Sequence, residues 1–398
     1  MKVQHLILVS SFFFVFSGKA QNNTAGTNTR FDFYGDSISL LIDVPATLPA
    51  GTVSPESVRS YFDAINGSNY KPLVSKLLQY KEQYKLDDWL YYQLIRRSVE
   101  QFSPKLENYE RYTVYKWFLL AKSGYGVTLK TGNRKLLCYV QTNEEIFNLP
   151  YYTRNAQQFV CLNYHDYSTI DFKQEIFTEV SLIAPEGKNS FSYKVTQLPN
   201  FNPSDYVEKD VGFSFYEKQY SFKLKLNPQV KKLFTNYPTV DYALYFNIPL
   251  SNATYQSLIP SLKENIRGMS ITNGVDYLMR FTRYSFLFEA DSKSFGEEKR
   301  FSPEQTLLYD KSDCEDRAAL FFFLVKEIYN LPMIVLSFPQ HVTVAVKFDK
   351  PVGKHILYKG STYSICEPTP QLKDLRMGKM IPSLNKTPYE VVYAYSPN

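Results

Sequence analysis

The chain is predicted to be an α+β protein of more than one domain, and three observations support this fold class. Apolar residues recur at helical spacing through 73–80, 89–99 and 112–120. Between about 163 and 250 the apolar period falls to two, which is typical of strands with one buried face. An apolar helix that begins at Cys314 then precedes short alternating segments, as expected of a helix packed on an antiparallel sheet.

The first 20 residues are predicted to be a secretory signal peptide. Lys2 precedes an apolar run over residues 6–16, and small residues follow in Gly18-Lys19-Ala20. A run this short cannot cross a bilayer core of about 30 Å as a helix, and no later stretch of sequence is long enough. We therefore expect an exported protein, periplasmic or extracellular, without a transmembrane segment.

The rest of the chain is long enough for two or three domains. Residues 21–162 are predicted as a helical or mixed α+β domain. In this domain a strand over 37–44 leads to a helix that begins near Ser54, with Pro55 in its first turn. Residues 163–251 are predicted as a β-rich domain built as a sandwich, because Pro and Asn separate its alternating segments.

Residues 252–398 are predicted as the carboxy-terminal core of the protein. The helical period returns first, and the helix that begins at Cys314 is expected to end near Asn330, because Pro332 cannot continue it. Short strands are expected to follow over 333–338, 341–348 and 361–366.

A faint internal repeat accompanies this core. Residues 115–140 show, about 206 residues earlier, the same order of helix, stop, strand, turn and strand. This offset sets Asn108 opposite Cys314, and it sets Lys135 opposite His341. Two interpretations stay open: the segment is a decayed copy of the core, or the match arises by chance, since helix–strand–strand units are common.

Composition and charge exclude several classes of function. The net charge is +6, from 45 Lys and Arg against 39 Asp and Glu, and the two signs are interleaved, so no nucleic-acid binding is expected. Aromatic residues make up 16% of the chain, which favours a folded protein with large buried rings. Four cysteines are too few for a disulfide scaffold. The sequence has no close pairs of metal ligands, so neither a metal nor another cofactor is expected.

Cys314, His341 and Glu367 have the context of a catalytic thiol triad. Cys314 opens a helix that Ser312 or Asp313 would cap, and the positive helix end together with an imidazole is expected to lower the pKa of the thiol. His341 opens a strand and would act as base and acid, while Glu367 would hold the second ring nitrogen. The backbone N–H of Cys314 would stabilise the oxyanion. Each residue also has an ordinary alternative, because a lone cysteine is more often a small buried apolar residue.

The other cysteines are assigned structural roles. Cys138 and Cys161 fall in strand-like segments, and they either pair as a disulfide or stay as two buried free thiols. Cys366 is expected to be a packed thiol on the strand face opposite Glu367, because side chains alternate along a strand.

Four further polar residues are also assigned structural roles. Asp316 and Arg317 are expected to form a pair that docks the helix in the core. His165 and His355 lie in polar, turn-like surroundings and are expected at the surface.

Residues 275–370 resemble the transglutaminase-like superfamily, whose members share the papain-like thiol fold. Three segments carry this resemblance in the order found in the family: Asp313-Cys314-Glu315-Asp316, His341-Val342-Thr343-Val344-Ala345-Val346 and Ile365-Cys366-Glu367-Pro368-Thr369. The chain as a whole is similar to secreted bacterial proteins in which this core is carboxy-terminal. The sequence departs from the family pattern twice. Glu367 stands where members usually have Asp, and Phe288 lies near the place of a Tyr or Trp that helps the oxyanion.

The resemblance implies an exported cysteine peptidase, amidase or acyl transferase that acts on peptide or amide bonds through a thioester. Hydrolysis is favoured over cross-linking, because nothing in the sequence provides a site for a competing amine. The substrate would be a polypeptide or a cell-wall peptide. A second hypothesis is a non-catalytic envelope binding or assembly protein that keeps the fold. A buried or disulfide-bonded Cys314 would favour this second hypothesis, whereas an open groove with His341 within hydrogen-bond reach would favour the enzyme.

Overall fold

The structure is a computed structural model that describes residues 26–45, 53–167, 170–182, 184–288 and 300–397. The predicted signal peptide, residues 1–20, lies outside the described residues. Within them the chain combines helices with antiparallel sheets, so the predicted α+β class is confirmed.

The amino-terminal elements are one hairpin and four helices. Tyr34 and Gly35 form the hairpin turn with φ of 56° and 102°, the left-handed pair that a tight two-residue turn needs. The predicted helix start near Ser54 is confirmed, because the Ser54 side chain accepts a hydrogen bond from the Ser57 N–H and Pro55 follows it. The elements are β1 (Thr27–Phe33), β2 (Asp36–Ile42), α1 (Pro55–Asn66), α2 (Lys71–Gln83), α3 (Asp88–Glu100) and α4 (Tyr109–Lys122).

A five-stranded antiparallel sheet follows α4, and we call this helix and sheet the amino-terminal lobe. The sheet has the order β5-β6-β4-β3-β7, and its strands are β3 (Val127–Gly132), β4 (Lys135–Thr142), β5 (Tyr151–Arg154), β6 (Gln157–Cys161) and β7 (Thr178–Glu179). One face packs with the helices in the main core. The other face carries a separate cluster of Leu137, Tyr139, Phe159 and Cys161.

The sheet register decides between the two alternatives for the first cysteine pair. Tyr139 pairs with Cys161 across β4 and β6, so Cys138 points to the opposite face of the sheet from Cys161. Cys138 accordingly packs in the main core and Cys161 in the second cluster. Both are buried free thiols, and no disulfide joins them.

The middle of the chain differs from the predicted sandwich. In the described part of residues 163–251 the main strands are β8 (Val207–Phe215) and β9 (Lys218–Leu226), which form one two-stranded hairpin. Phe213 and Phe222 on its inner face lie 5.0 and 5.4 Å, between ring centroids, from rings of a following helix. Alternation of apolar residues indicates that one face of a hairpin is buried, but it does not indicate which elements cover that face. Here helices cover it. The helices of this region are α5 (Gln229–Leu233), α6 (Tyr242–Tyr245), α7 (Asn252–Asn265) and α8 (Ile271–Tyr284).

The carboxy-terminal lobe consists of one long helix and a second five-stranded antiparallel sheet. Its helix ends at Tyr329, followed by Asn330 in the left-handed conformation with φ of 49°, close to the predicted end. The three predicted strands are present, and the sheet order is β14-β15-β13-β12-β16. The elements of this region are β10 (Leu287–Phe288), α9 (Pro303–Leu308), β11 (Lys311–Ser312), α10 (Cys314–Tyr329), β12 (Met333–Phe338), β13 (His341–Val346), β14 (His355–Tyr358), β15 (Ser361–Cys366) and β16 (Glu390–Tyr395).

The two lobes repeat one topology. In each lobe, a helix is followed by two strands that a two-residue turn joins. A second hairpin comes next, and its later strand pairs with the first hairpin. The last strand lies on the opposite edge of the sheet. The hairpin register also agrees, because Gly132 pairs with Lys135 and Phe338 pairs with His341. The repeat seen faintly in the sequence is therefore a structural repeat.

One main core runs through the three predicted domains. It extends from Phe33 to Met377 and includes residues of both lobes and of the β8–β9 hairpin. The predicted boundaries after 162 and after 251 stay predictions, although β7 of the amino-terminal sheet lies beyond the first of them. Across the described ranges, no helix combines the length and the apolar character needed to cross a membrane.

Candidate active site

Cys314 is the first residue of α10 and is half-buried. Of the two predicted caps, Asp313 is the one used: its side chain accepts the Asp316 N–H, and the Asp316 side chain accepts the Asp313 N–H in return. The apolar body of the helix packs against β13, which brings the thiol to the backbone N–H of Val342. The cysteine therefore lies beside the strand that His341 opens.

The predicted contact between His341 and Glu367 is present. His341 Nε2 lies 2.8 Å from Glu367 Oε2, and the Glu367 side chain is only 2% exposed. The other carboxylate oxygen accepts the Thr369 N–H at 2.8 Å, which fixes the carboxylate plane. With Nε2 engaged, Nδ1 is the ring nitrogen left for a thiol proton. Among the described residues no hydrogen bond joins the Cys314 thiol to the ring.

The thiol is not activated in the way that we predicted. Burial, then the negative charge of Asp313, raises the pKa of Cys314 to about 12. The Val342 N–H acts in the opposite direction, while the carboxylates of Glu315 and Glu367 add to the rise. The expected lowering of the pKa by the helix end is therefore outweighed, because burial and three nearby carboxylates disfavour the thiolate form of Cys314.

Asp316 and Arg317 dock the helix through separate partners. Asp316 accepts the Phe301 N–H at 2.8 Å and the hydroxyl of Tyr245 at 3.3 Å. The Arg317 guanidinium is fully buried, and burial lowers its pKa to about 10. Its hydrogen bonds go to backbone carbonyls at the end of α8 and beyond, namely those of Thr282, Arg283, Phe286, Leu287 and Ser312.

Sequence reasoning missed Arg283, which holds the backbone of Glu367. The Arg283 side chain is 1% exposed, and both Nε and Nη2 donate to the Glu367 carbonyl, the former at 3.2 Å. Its Nη1 donates to Asp374 Oδ1 at 2.7 Å and to the Leu375 carbonyl at 2.9 Å. One signal was available in the sequence: an arginine on the apolar face of a helix needs buried partners.

The predicted burial of Cys366 and the predicted exposure of His165 and His355 agree with the structure. Cys366 is a fully buried free thiol in the main core, one residue before Glu367. His165 and His355 are exposed. Phe288 is 51% exposed and pairs with Ser312, two residues before Cys314, so an aromatic ring without a polar donor lies on the strand beside the one that leads to the nucleophile.

The amino-terminal lobe holds different residues at the equivalent positions. Asn108 caps α4 as Asp313 caps α10, so Tyr109, and not Asn108, corresponds to Cys314. Lys135 opens its strand as His341 does, as predicted. Asn163 stands in the place of Glu367. Val140 pairs with Val160 in one lobe as Val346 pairs with Ser364 in the other, and Asn163 and Glu367 each follow three residues later.

This amino-terminal position is filled by a hydrogen-bonded cluster. Asn163 Nδ2 donates to the Tyr109 hydroxyl at 2.8 Å, and that hydroxyl donates to Asp166 Oδ2 at 2.7 Å. Asp166 also binds Lys105 Nζ at 2.6 Å. The Cys161 thiol donates to Asn163 Oδ1 at 3.6 Å, and burial raises the pKa of this thiol, so the cluster offers a buried hydrogen-bonded network where the other lobe has the triad.

A groove of about 530 Å³ opens on the second face of the amino-terminal sheet. Lys130 Nζ lies 3.3 Å from the ring centroid of Tyr152, and Tyr151 is 60% exposed. The aromatic side chains that line the groove are Tyr139, Tyr151, Tyr152, Phe172 and Phe177. This surface offers ring faces with a nearby cation, on the lobe that lacks the triad.

No family model matches this chain, and neither the curated proteins nor the solved structures contain a match. The fold and the site together describe a mixed α+β protein. A thiol, an imidazole and a carboxylate lie at one corner of its second antiparallel sheet. Within the described residues, no cluster of three or more His, Cys, Asp or Glu side chains is arranged to hold a metal ion.

Proposed function

We propose that the protein is an exported thiol enzyme of the transglutaminase-like fold, which hydrolyses peptide or amide bonds in a polypeptide or cell-wall peptide. Cys314 is the nucleophile, His341 the base and acid, and Glu367 the residue that orients the imidazole. The observation that carries the proposal is the 2.8 Å contact of His341 Nε2 with Glu367 Oε2, next to a cysteine at a helix start.

The reaction would begin with attack of Cys314 Sγ on the scissile carbonyl while His341 Nδ1 takes the thiol proton. The C–N bond then breaks, the leaving amine receives that proton, and a thioester remains on Cys314. Water, deprotonated by His341, attacks the thioester and releases the acid and the thiol. The Cys314 N–H lies in the first turn of α10, where helix N–H groups lack intrahelical acceptors, and would stabilise the oxyanion.

The raised pKa of Cys314 refines this mechanism. Because the pKa of the thiol is raised, we propose that proton transfer to His341 accompanies attack instead of preceding it. Glu367 then has a direct role in rate, since its carboxylate stabilises the imidazolium that forms during this transfer.

Alkylation of Cys314 by iodoacetamide tests the proposal without a known substrate. We expect labelling of the purified mature protein at pH 7 to depend on His341, and His341→Ala to slow it about tenfold or more. His355→Ala is the matched control, because that ring is exposed and lies outside the site. Equal rates for the wild type and His341→Ala would remove the chemical basis of the enzyme.

A second candidate, a non-catalytic envelope binding protein, is favoured by the aromatic groove of the amino-terminal lobe. Such a protein would keep its ligand after loss of the thiol. Binding to isolated cell-wall peptide that survives Cys314→Ala and fails in Tyr152→Ala would support this candidate, whereas binding unaffected by Tyr152→Ala would exclude the groove.

A further inference from the structure

We propose that Arg283 is a positioning residue of the candidate active site, which holds Glu367, and through it His341, in register with Cys314. This inference rests on the proposed function and adds a residue that neither the motifs nor the resemblance includes. It begins from an unusual use of charge: two buried arginines near the triad donate mainly to backbone carbonyls.

The two guanidinium groups join the nucleophile to the orienting residue. Arg317 lies one turn after Cys314 on α10 and donates to carbonyls at the end of α8, including that of Arg283 at 2.9 Å. Arg283 in turn donates twice to the Glu367 carbonyl. A continuous set of hydrogen bonds thus runs from the Cys314 helix, through the end of α8, to the residue that binds His341.

The carbonyl contact matters because the Glu367 side chain has little freedom of its own. One carboxylate oxygen binds Thr369 N–H and the other binds His341, so a shift of the Glu367 backbone is transmitted to the imidazole. Displacements of about 1 Å at a catalytic group cost up to 10²-fold in rate. A bidentate guanidinium limits such a shift better than a single donor does.

The repeat separates a role in the site from a role in the fold. α3 packs against α4 as α8 packs against α10, and when α3 and α8 are aligned on their last residues, Val99 stands in the place of Arg283. The alignment is supported one residue earlier, where Ser98 and Thr282 each donate to the carbonyl four residues back. Tyr112 likewise stands in the place of Arg317 when α4 and α10 are aligned on their first residues.

The amino-terminal lobe therefore builds the same sheet without either arginine, and it also lacks the triad. Arg280 behaves differently, because Arg96 stands in its place in the same alignment of α3 with α8. Arg280 binds Asp374 Oδ2 at 2.7 Å and Asp276 Oδ2 at 3.3 Å, so its hydrogen bonds go to carboxylates and not to the Glu367 carbonyl. An arginine present on both α3 and α8 fits a role in the fold, and one present only beside the triad fits a role in the site.

The test compares Arg283→Met with the matched control Arg280→Met. The control removes a second buried arginine of α8, which also binds Asp374. The first readout is the ¹⁵N spectrum of the His341 ring, which reports the tautomer selected by the Glu367 contact. The second is the rate of Cys314 alkylation at pH 7, with thermal unfolding measured for each variant.

We expect Arg283→Met to remain folded, to lose the single His341 tautomer, and to slow alkylation about tenfold. Arg280→Met should keep the tautomer and stay within about twofold of the wild-type rate. If Arg283→Met does not fold, Arg283→Lys keeps the charge for Asp374 but offers one donor to the Glu367 carbonyl, and it should show the same loss of tautomer.

Two results overturn the inference. One is an Arg283 variant, folded, with the tautomer and the alkylation rate of the wild type. The other is an equal loss in Arg283→Met and Arg280→Met, which would indicate a role in the fold. Failure of the proposed function is distinguishable, because alkylation would then be insensitive to His341→Ala while the ¹⁵N readout still reports whether Arg283 holds Glu367.

Discussion

Glu367 carries one methylene more than the aspartate expected under the proposed transglutaminase-like fold, and its longer side chain still contacts the imidazole. Its backbone is held by Arg283 and its carboxylate reaches His341 at 2.8 Å. The length is thus matched to a fixed backbone position. A shorter acid at the same position would leave a gap in a site that cannot close around it.

We therefore predict that Glu367→Asp does not preserve the contact with His341. Because the held backbone prevents the shorter carboxylate from reaching Nε2, Cys314 alkylation at pH 7 should fall about tenfold, close to the loss in Glu367→Gln. Rates are measured by mass spectrometry of the labelled peptide. A Glu367→Asp variant as reactive as the wild type would contradict the fixed-backbone interpretation.

The pH dependence of alkylation follows from the raised pKa of Cys314. A thiol with a pKa of about 12 stays protonated through neutral pH, so its rate should keep rising to about pH 10 without a plateau. The difference between the wild type and His341→Ala should be largest near pH 7 and shrink as hydroxide replaces the imidazole as base. A plateau below pH 8 would mean that a thiolate exists in the resting protein.

For individual residues, the sequence predicted which side chains of the site contact one another better than it predicted the pKa of the thiol. The Glu367 contact to His341 was predictable, since both residues flank strands of one hairpin-linked sheet. The sign of the thiol pKa shift was not, because it depends on burial and on how close Asp313, Glu315 and Glu367 approach in space. Arg283 was missed for the same reason: its partner is 84 residues away in sequence.

Among the elements, α10 combines a stabilising cap with an inhibitory charge at one residue. Asp313 accepts the Asp316 N–H, and it is also the second largest cause of the raised Cys314 pKa. Cap and charge can be separated by substitution, because an asparagine amide accepts the same hydrogen bond without carrying the charge.

Asp313→Asn should therefore speed Cys314 alkylation at pH 8 about threefold or more while changing stability little. Asp313→Ala, the comparison variant, also removes the charge but loses the cap, and it should cost about 1 kcal/mol of unfolding free energy. Slower alkylation in Asp313→Asn than in the wild type would show that the carboxylate assists the thiol.

The first hairpins of the two lobes use different turns of equal length. In the amino-terminal lobe Asn133 and Arg134 both adopt positive φ, 48° and 59°, as a two-residue primed turn requires. Pro339 cannot adopt positive φ, so the turn before His341 has another geometry. The turn before the His341 imidazole therefore differs from the turn at the same position in the amino-terminal lobe.

Arg134→Gly should stabilise the protein by about 0.5–1 kcal/mol, because glycine relieves the left-handed strain at more than its entropic cost. The exposed turn lies outside the triad, so Cys314 alkylation should not change. Thermal unfolding and labelling of the same preparation measure both effects. A lower Tm would show that the arginine side chain contributes more than its backbone strain costs.

Helix ends were predictable where the sequence contains local capping or helix-breaking residues. Ser54-Pro55, the Asp313 cap and Asn330 before Pro332 mark helix ends by local hydrogen bonding and sterics, and the structure has those ends. The sandwich at 163–251 was wrong because pairing of β8 with β9 is local, whereas the cover of their inner face comes from α7 and α8. Period-two alternation contains no information about that cover.

At the scale of the whole molecule, one topology serves two purposes. The amino-terminal lobe keeps the helix and sheet order of its partner but fills the triad positions with Tyr109, Lys135 and Asn163. We expect this cluster to support stability and not chemistry. The sequence indicated the repeat only faintly, because the shared features are register and order, and few side chains are common to both lobes.

Tyr109→Phe should accordingly lower the unfolding free energy by about 1–3 kcal/mol, since it removes one of the two acceptors of Asn163 Nδ2 and the hydroxyl that donates to Asp166 Oδ2. Alkylation of Cys314 should stay within about twofold of the wild type. Cys314→Ala, in contrast, should retain stability and lose all thioester chemistry. Loss of Cys314 reactivity in a folded Tyr109→Phe protein would show that the two lobes are coupled in function.

The neutral resting state of Cys314 has a further consequence in an oxidising compartment. Peroxides and disulfides react with thiolates and only slowly with thiols, so a cysteine with a permanently low pKa would be oxidised to sulfenic acid or capped outside the cytoplasm. A thiol that burial and neighbouring carboxylates keep protonated is shielded from this damage until a substrate and His341 together remove its proton. The cost would be a slower nucleophile, and the benefit would be a thiol that stays reduced in the compartment to which we propose the protein is exported.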